Sequence, residues 1–225
     1  SVTYVTGGEE EPNRVEKQAL DLPGNIRIEA IGPGFLQIKS LTGQQSVIQL
    51  VENTTVHVTG TAKVDVISPG TFIAFVAEVD KRRSEVQDQV GKLTIFTPSA
   101  ERPLGAFPGG AAGAGLGGEP LAANPPAADA GPPVETFEIV GRITGIDKSG
   151  KLMLFAPNQY FKPAVEIELA EEPEIDLDLT GLAMLRFVKP GDKVQGRGRQ
   201  VAPNVAQVTE LTVQLAEPLT TVKAK

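Results

Sequence analysis

Three basic residues near the C-terminal end carry the clearest chemical pattern in this chain. Lys193, Arg197 and Arg199 lie in KVQGRGRQV (193–201). Side chains alternate faces along a strand, so these three odd-numbered positions share one face. Arg197 and Arg199 flank Gly198, which leaves their heads room to converge on one anion. The chemistry on offer is charge-assisted hydrogen bonding to a phosphate or an acidic sugar. The competing reading is a solvated strand face. Tyr160 and Phe161, in the loop NQYFKP (158–163), are the second candidate pair. They serve either as a partner contact or as a cap over the open end of a barrel.

Catalytic residues form no comparable cluster. His57 is the single histidine and alternates with Val56 and Val58, which puts it on the polar face of a strand. A general base needs a neighbour to activate, and a metal site needs further ligands. Cysteine is absent, which removes disulfides, thiolate metal sites and thiol nucleophiles together. The acidic run Glu166, Glu168, Glu171, Glu172, Glu174, Asp176 and Asp178 alternates with apolar residues. A hard cation needs convergent oxygens, whereas this spacing spreads them along a face and keeps an edge strand soluble. Gly141, Gly145, Gly196 and Gly198 fit neither a Walker loop nor a dinucleotide loop, and fit strand corners instead. The expectation is a protein that is not an enzyme and uses no cofactor and no metal.

The elements that position these residues come from a duplication. TGTAKVDVISPG (59–70) and TGLAMLRFVKPG (180–191) share Thr, Gly, Ala, Pro and Gly without a gap. Three further positions pair apolar with apolar: Val64 with Leu185, Val66 with Phe187 and Ile67 with Val188. Two copies of one small domain follow from this. Aromatic residues make up only 5% of the chain, so both cores must be built from Val, Ile and Leu. Such β-branched composition favours strands. Runs such as NIRIEAI (25–31), FLQIKSL (35–41), TFIAFVAEVD (71–80), TFEIVGRITGID (136–147) and VAQVTELTVQL (205–215) alternate in that way. Residues 101–133 break the pattern: 24 of these 33 are Gly, Ala or Pro, which reads as a linker.

The expected organisation is therefore a flexible arm (1–24), a first β-barrel (25–100), a disordered linker (101–133), a second β-barrel (134–217) and a tail (218–225). The arm carries two alternative elements, a short strand at 2–5 and a helical turn in EKQALDL (16–22).

Pro190-Gly191-Asp192 followed by Val194-Gln195-Gly196, with Gly141 and Gly145-Ile146-Asp147, resembles the corners of OB-like small β-barrels in exported bacterial proteins of unknown function. Domain one carries the pattern with Thr71 in place of the turn Asp and Phe75 in place of the strand Gly. The resemblance implies an all-β fold of two tandem OB-like barrels joined by a Gly/Ala/Pro-rich linker. It implies fold far more than activity.

Charge narrows the partner. The net charge is −7, with 9 basic and 12 acidic residues in 1–100 and 11 and 13 in 134–225. Neither half has the basic footprint of non-specific nucleic-acid binding. No run reaches the ~18 apolar residues of a membrane span. The chain begins at Ser1, which fits a removed export signal and an extracytoplasmic setting. The functional expectation is binding or scaffolding of a protein or anionic polymer, with two barrels on a tether suited to bivalent attachment. A nucleic-acid or oligosaccharide binder and a homo-oligomeric structural protein are the alternatives.

Overall fold

Burying one face of an alternating run requires pairing its backbone, and in the computed structural model nearly every such run is a paired strand. The structure describes residues 19–109 and 134–221. The strands before residue 110 are β1 (Ala19–Gly32), β2 (Phe35–Lys39), β3 (Gln45–Thr61), β4 (Phe72–Asp80), β5 (Glu85–Val86), β6 (Val90–Phe96) and β7 (Gly105–Pro108). After residue 133 come β8 (Val134–Ile146), β9 (Leu152–Phe155), β10 (Ala164–Ile167), β11 (Leu169–Thr180), β12 (Lys193–Ala202) and β13 (Val205–Gln214). The chain is all-β, with short 3-10 turns at Val64–Val66 and Leu182–Phe187.

These strands sort into two compact units that do not follow chain order. Unit 1 holds the described residues up to Thr55 together with Lys189–Leu211; unit 2 holds Val56–Val188 and the residues from Thr212. In unit 1, β1 pairs antiparallel with β2 and with β12, and β2 pairs antiparallel with β3. β13 neighbours both β12 and β3, so the ring closes as a five-stranded mixed barrel. Taken in order of appearance, its strands run 1-2-3-5-4 around the ring. A closed ring of five cannot alternate direction throughout, which is why one neighbouring pair is parallel. Ile28, Leu36, Ile48, Val208 and Leu211 fill the interior at 0–1% exposure. Each contributes about 1.5–3 kcal/mol by leaving water.

Unit 2 pairs β10 with β9, β9 with β8, β8 with β4 and β4 with β6, all antiparallel. β6 then pairs in parallel with β11, and β11 pairs antiparallel with the last residues of β3. β5 and β7 are extra strands on β4 and β8. Phe137 is fully buried here, with Tyr160 and Phe161 centroids 5.2 and 5.3 Å away.

The duplicated motif takes one shape in both copies. A strand ends within one residue of the Gly (Gly60 or Gly181), a 3-10 turn follows, and a Pro-Gly turn starts the next strand. Gly70 and Gly191 close those turns at φ 97° and 101°, a region an L side chain avoids. Each turn then docks on the first strand of the opposite half. Gly191 N donates to Ile28 O (2.8 Å), and Gly70 N donates to Ile143 O (2.7 Å). Ile28 and Ile143 also precede equivalent bulges in β1 and β8.

Three expected segments differ from the structure. The arm to residue 24 and its helical turn are replaced from Ala19 by strand, because β12 offers a ladder from Arg199 to Gly196. The short strand at 2–5 lies outside the described residues. Of the linker 101–133, residues 101–109 are ordered into unit 2, and 110–133 lie outside the described residues. Leu104 and Phe107 pack on Ala74, Phe96 and Val140, burying apolar area that a Gly/Ala/Pro count conceals. In the tail, Leu219 is 7% exposed, and its N–H donates to Thr61 O at 2.8 Å.

Candidate ligand-binding face

β12 starts where the Pro190-Gly191-Asp192 turn is locked. The Asp192 carboxylate, 4% exposed, accepts the Lys189 N–H at 2.7 Å. Thr71 does the same work in the other copy, its hydroxyl accepting the Ser68 N–H at 3.2 Å. From that anchor Val194 points into the barrel, and Lys193, Arg197 and Arg199 point outward and are exposed. At about 3.3 Å per residue the outward row from 193 to 199 spans about 20 Å.

The inward positions Gly196 and Gly198 are empty of side chain for a steric reason. A Cβ on Gly198 would lie 2.0 Å from Gln207 O, and one on Gly196 2.5 Å from Glu210 O. β12 and β13 thus approach too closely for any other residue.

Arg199 holds Gln207 Oε1 through Nε (3.2 Å) and Nη2 (2.7 Å), which fixes its guanidinium plane against β13. The neighbour that the sequence did not reveal is Arg27 of β1, whose Cα partner is Lys193. Both side chains are exposed, and among the described residues neither has a salt bridge. Like charges directly opposite across two strands repel. The outward direction of Arg27 is legible from Ile26 and Ile28 beside it; its pairing with β12 is a long-range fact. No aromatic side chain lies on the outward face of β12.

The remaining candidates fall elsewhere. Tyr160 and Phe161 belong to unit 2, and Phe161 is 8% exposed with its ring edge-on to Phe137 at 83°. Asn158 Oδ1 accepts both the Tyr160 and Phe161 N–H groups at 2.9 Å, which holds this loop in place. His57 is half-buried on β3, and its Cα partner is Thr180.

The acidic run is extended rather than convergent. Lys92 bridges Glu174 (2.6 Å) and Asp176 (3.2 Å), Arg102 reaches Asp178 (3.6 Å), and Lys151 reaches Glu168 (3.8 Å). The hydrogen bond to Glu174, then that to Asp176, raises the Lys92 pKa above its ordinary 10.5. Asp147 is lowered, chiefly because the Ser149 hydroxyl donates to it within the Asp147–Ser149–Gly150 turn. Among the described residues no three acidic or imidazole groups converge as a metal site.

No family model matches the chain, and neither a curated protein nor a solved structure does.

Proposed function

We propose that this chain is a non-catalytic binding protein of two OB-like barrels, and that unit 1 holds an anionic polymer along β12. The observation that carries the reading is the exposed Arg27–Lys193 pair. Two cations held opposite one another without a carboxylate gain most when a ligand supplies the anion. Arg197, whose Cα partner is Asp21, and Arg199 continue the outward row, so the ligand that fits is an elongated anion rather than one phosphate.

The strand order 1-2-3-5-4 of unit 1 supports the OB-like assignment, since OB barrels are five-stranded Greek-key rings. Unit 2 is assigned to the same class by treating β10 and β11 as one strand bent at Glu168. Its ring is then β8, β9, β10/β11, β6 and β4, again with one parallel pair. Each barrel is thus completed by two strands from the other half of the chain.

The bare β12 face favours an acidic polysaccharide over single-stranded nucleic acid. Binders of the latter stack bases on aromatic side chains. The test is titration of the full chain with heparin across a salt series, and with a single-stranded oligonucleotide of matched charge. Heparin binding should weaken linearly on logarithmic axes as salt rises. The Arg27→Gln/Lys193→Gln double variant should lower that slope by about two. Heparin binding that is absent, or unchanged in the double variant, rejects the reading. Tighter binding of the oligonucleotide replaces polysaccharide by nucleic acid.

A further inference from the structure

Unit 1 contains a second feature unrelated to its basic face. A cavity of about 380 Å³ opens at the end of the barrel, between the β2–β3 loop and the β12–β13 turn. Its floor is core. Ile38 and Ile48, at 3% and 0% exposure, line it together with Ile26 and Ala206. Its rim carries hydroxyl and amide groups, including Ser40, Thr42, Gln44 and Asn204. Every lining residue is uncharged.

The rim is braced from within. Ser40 Oγ and Thr42 Oγ1 lie 2.7 Å apart, Gln44 Nε2 donates to Asn204 Oδ1 at 3.1 Å, and Val47 N donates to Asn204 O at 2.8 Å. Asn204 takes φ 58° to do so, a left-handed conformation that Asn tolerates better than most residues. These bonds hold the mouth open around an apolar floor. Two groups are left over. Leu41 stands on the lip at 74% exposure, the most exposed of the large apolar side chains among the described residues. Ser46 is the Cα partner of the inward-facing Ile38, so its hydroxyl shares the inward face, and among the described residues it has no hydrogen-bond partner.

We infer that this cavity is a binding site for a small, neutral, mostly apolar molecule with one hydrogen-bonding group. Its volume lies in the range of small-molecule pockets, and an apolar pocket with a few convergent polar groups is the general form of such a site. The ligand's apolar body sits on Ile38 and Ile48 under Leu41, and its polar group reaches Ser46. A charged ligand is disfavoured, because no lining group offsets the loss of its hydration.

The probe is N-phenyl-1-naphthylamine, read by its fluorescence on the full chain. Its sulfonated analogue, 8-anilino-1-naphthalenesulfonate, has the same rings plus a fixed negative charge. The neutral probe should bind saturably at one site per chain and at least about tenfold more tightly than the sulfonate. Ser46→Phe fills the cavity and should weaken it by at least about tenfold. Leu41→Ser changes only an exposed side chain and should weaken it about threefold with the thermal midpoint unchanged, which keeps the test valid if Ser46→Phe misfolds. The inference is overturned by non-saturable binding, by equal or tighter binding of the sulfonate, or by binding that folded Ser46→Phe and Leu41→Ser both leave intact.

Discussion

Arg27 and Arg142 occupy the same place in the two units, and their neighbours differ. Arg27 lies opposite Lys193, while Arg142 lies opposite Phe72, with its guanidinium carbon 6.0 Å from that ring's centroid. The second arginine spends its charge on an aromatic face. The first faces another cation and solvent. The wider charge balance follows the same division. Among the described residues unit 1 carries six basic and five acidic side chains, and unit 2 carries eleven and seventeen. One turn-and-docking plan is thus shared by the two units while the surfaces around it differ. Shared backbone bonds at Ile28 and Ile143 preserve the plan, whereas outward side chains are free to change because they pack against little.

The largest test of this comparison separates the halves. Residues 1–109 supply three of the five strands of unit 1, and residues 134–225 supply the other two. Neither half should show cooperative urea unfolding alone, and mixing them should restore it. A half that unfolds cooperatively by itself breaks the claim that each unit needs both.

Next comes the close approach of β12 and β13. Gly198→Ala should destabilise by about 2–4 kcal/mol, because the new methyl meets a carbonyl oxygen that cannot move without breaking the ladder. Gly145→Ala, whose methyl would meet only Met153 Sδ at 3.8 Å, should cost under about 1 kcal/mol. Equal effects in chemical denaturation would mean that β12 and β13 are not held this tightly.

The turns give a smaller contrast. Asp192→Ala removes a buried acceptor and should cost about 1–3 kcal/mol, while Thr71→Ala should cost about 0.5–1 kcal/mol. A larger loss at Thr71 would reverse the ranking of the two turns.

The smallest effect is expected at Lys92, which is well exposed. Its pKa is raised above 10.5 in the folded state, so its stabilising effect is complete below 10.5 and is lost as pH rises through the raised value. The stability difference between wild type and Lys92→Met should therefore be small and constant through neutral pH, and vanish in strong alkali. A difference that persists there would assign it to packing of the lysine stem.

Much of this was legible in order along the chain. Alternation at Ile26–Ile28 and Ile73–Phe75, the duplicated Thr-Gly and Pro-Gly, and the outward row of Lys193, Arg197 and Arg199 are local patterns, and local patterns report strand faces and turns. The segments 63–67 and 182–188 were less readable: their apolar residues suit strands, but a 3-10 turn forms just beyond the end of each ladder. Strand Gly105–Pro108 was hidden because Gly, Ala and Pro dominate its neighbourhood. Phe161 likewise could be read as a contact until Phe137 appeared beneath it.

By itself the sequence determined the all-β class, the duplicated turn and the sidedness of each strand. These depend on side-chain periodicity and on the φ values that glycine allows. Tertiary structure decided which strands share a unit, that Arg27 meets Lys193, and that the end of the five-stranded barrel stays open. Backbone pairing is chemically the same for every strand, so partner choice is settled only when complete sets of strands bury their apolar faces together.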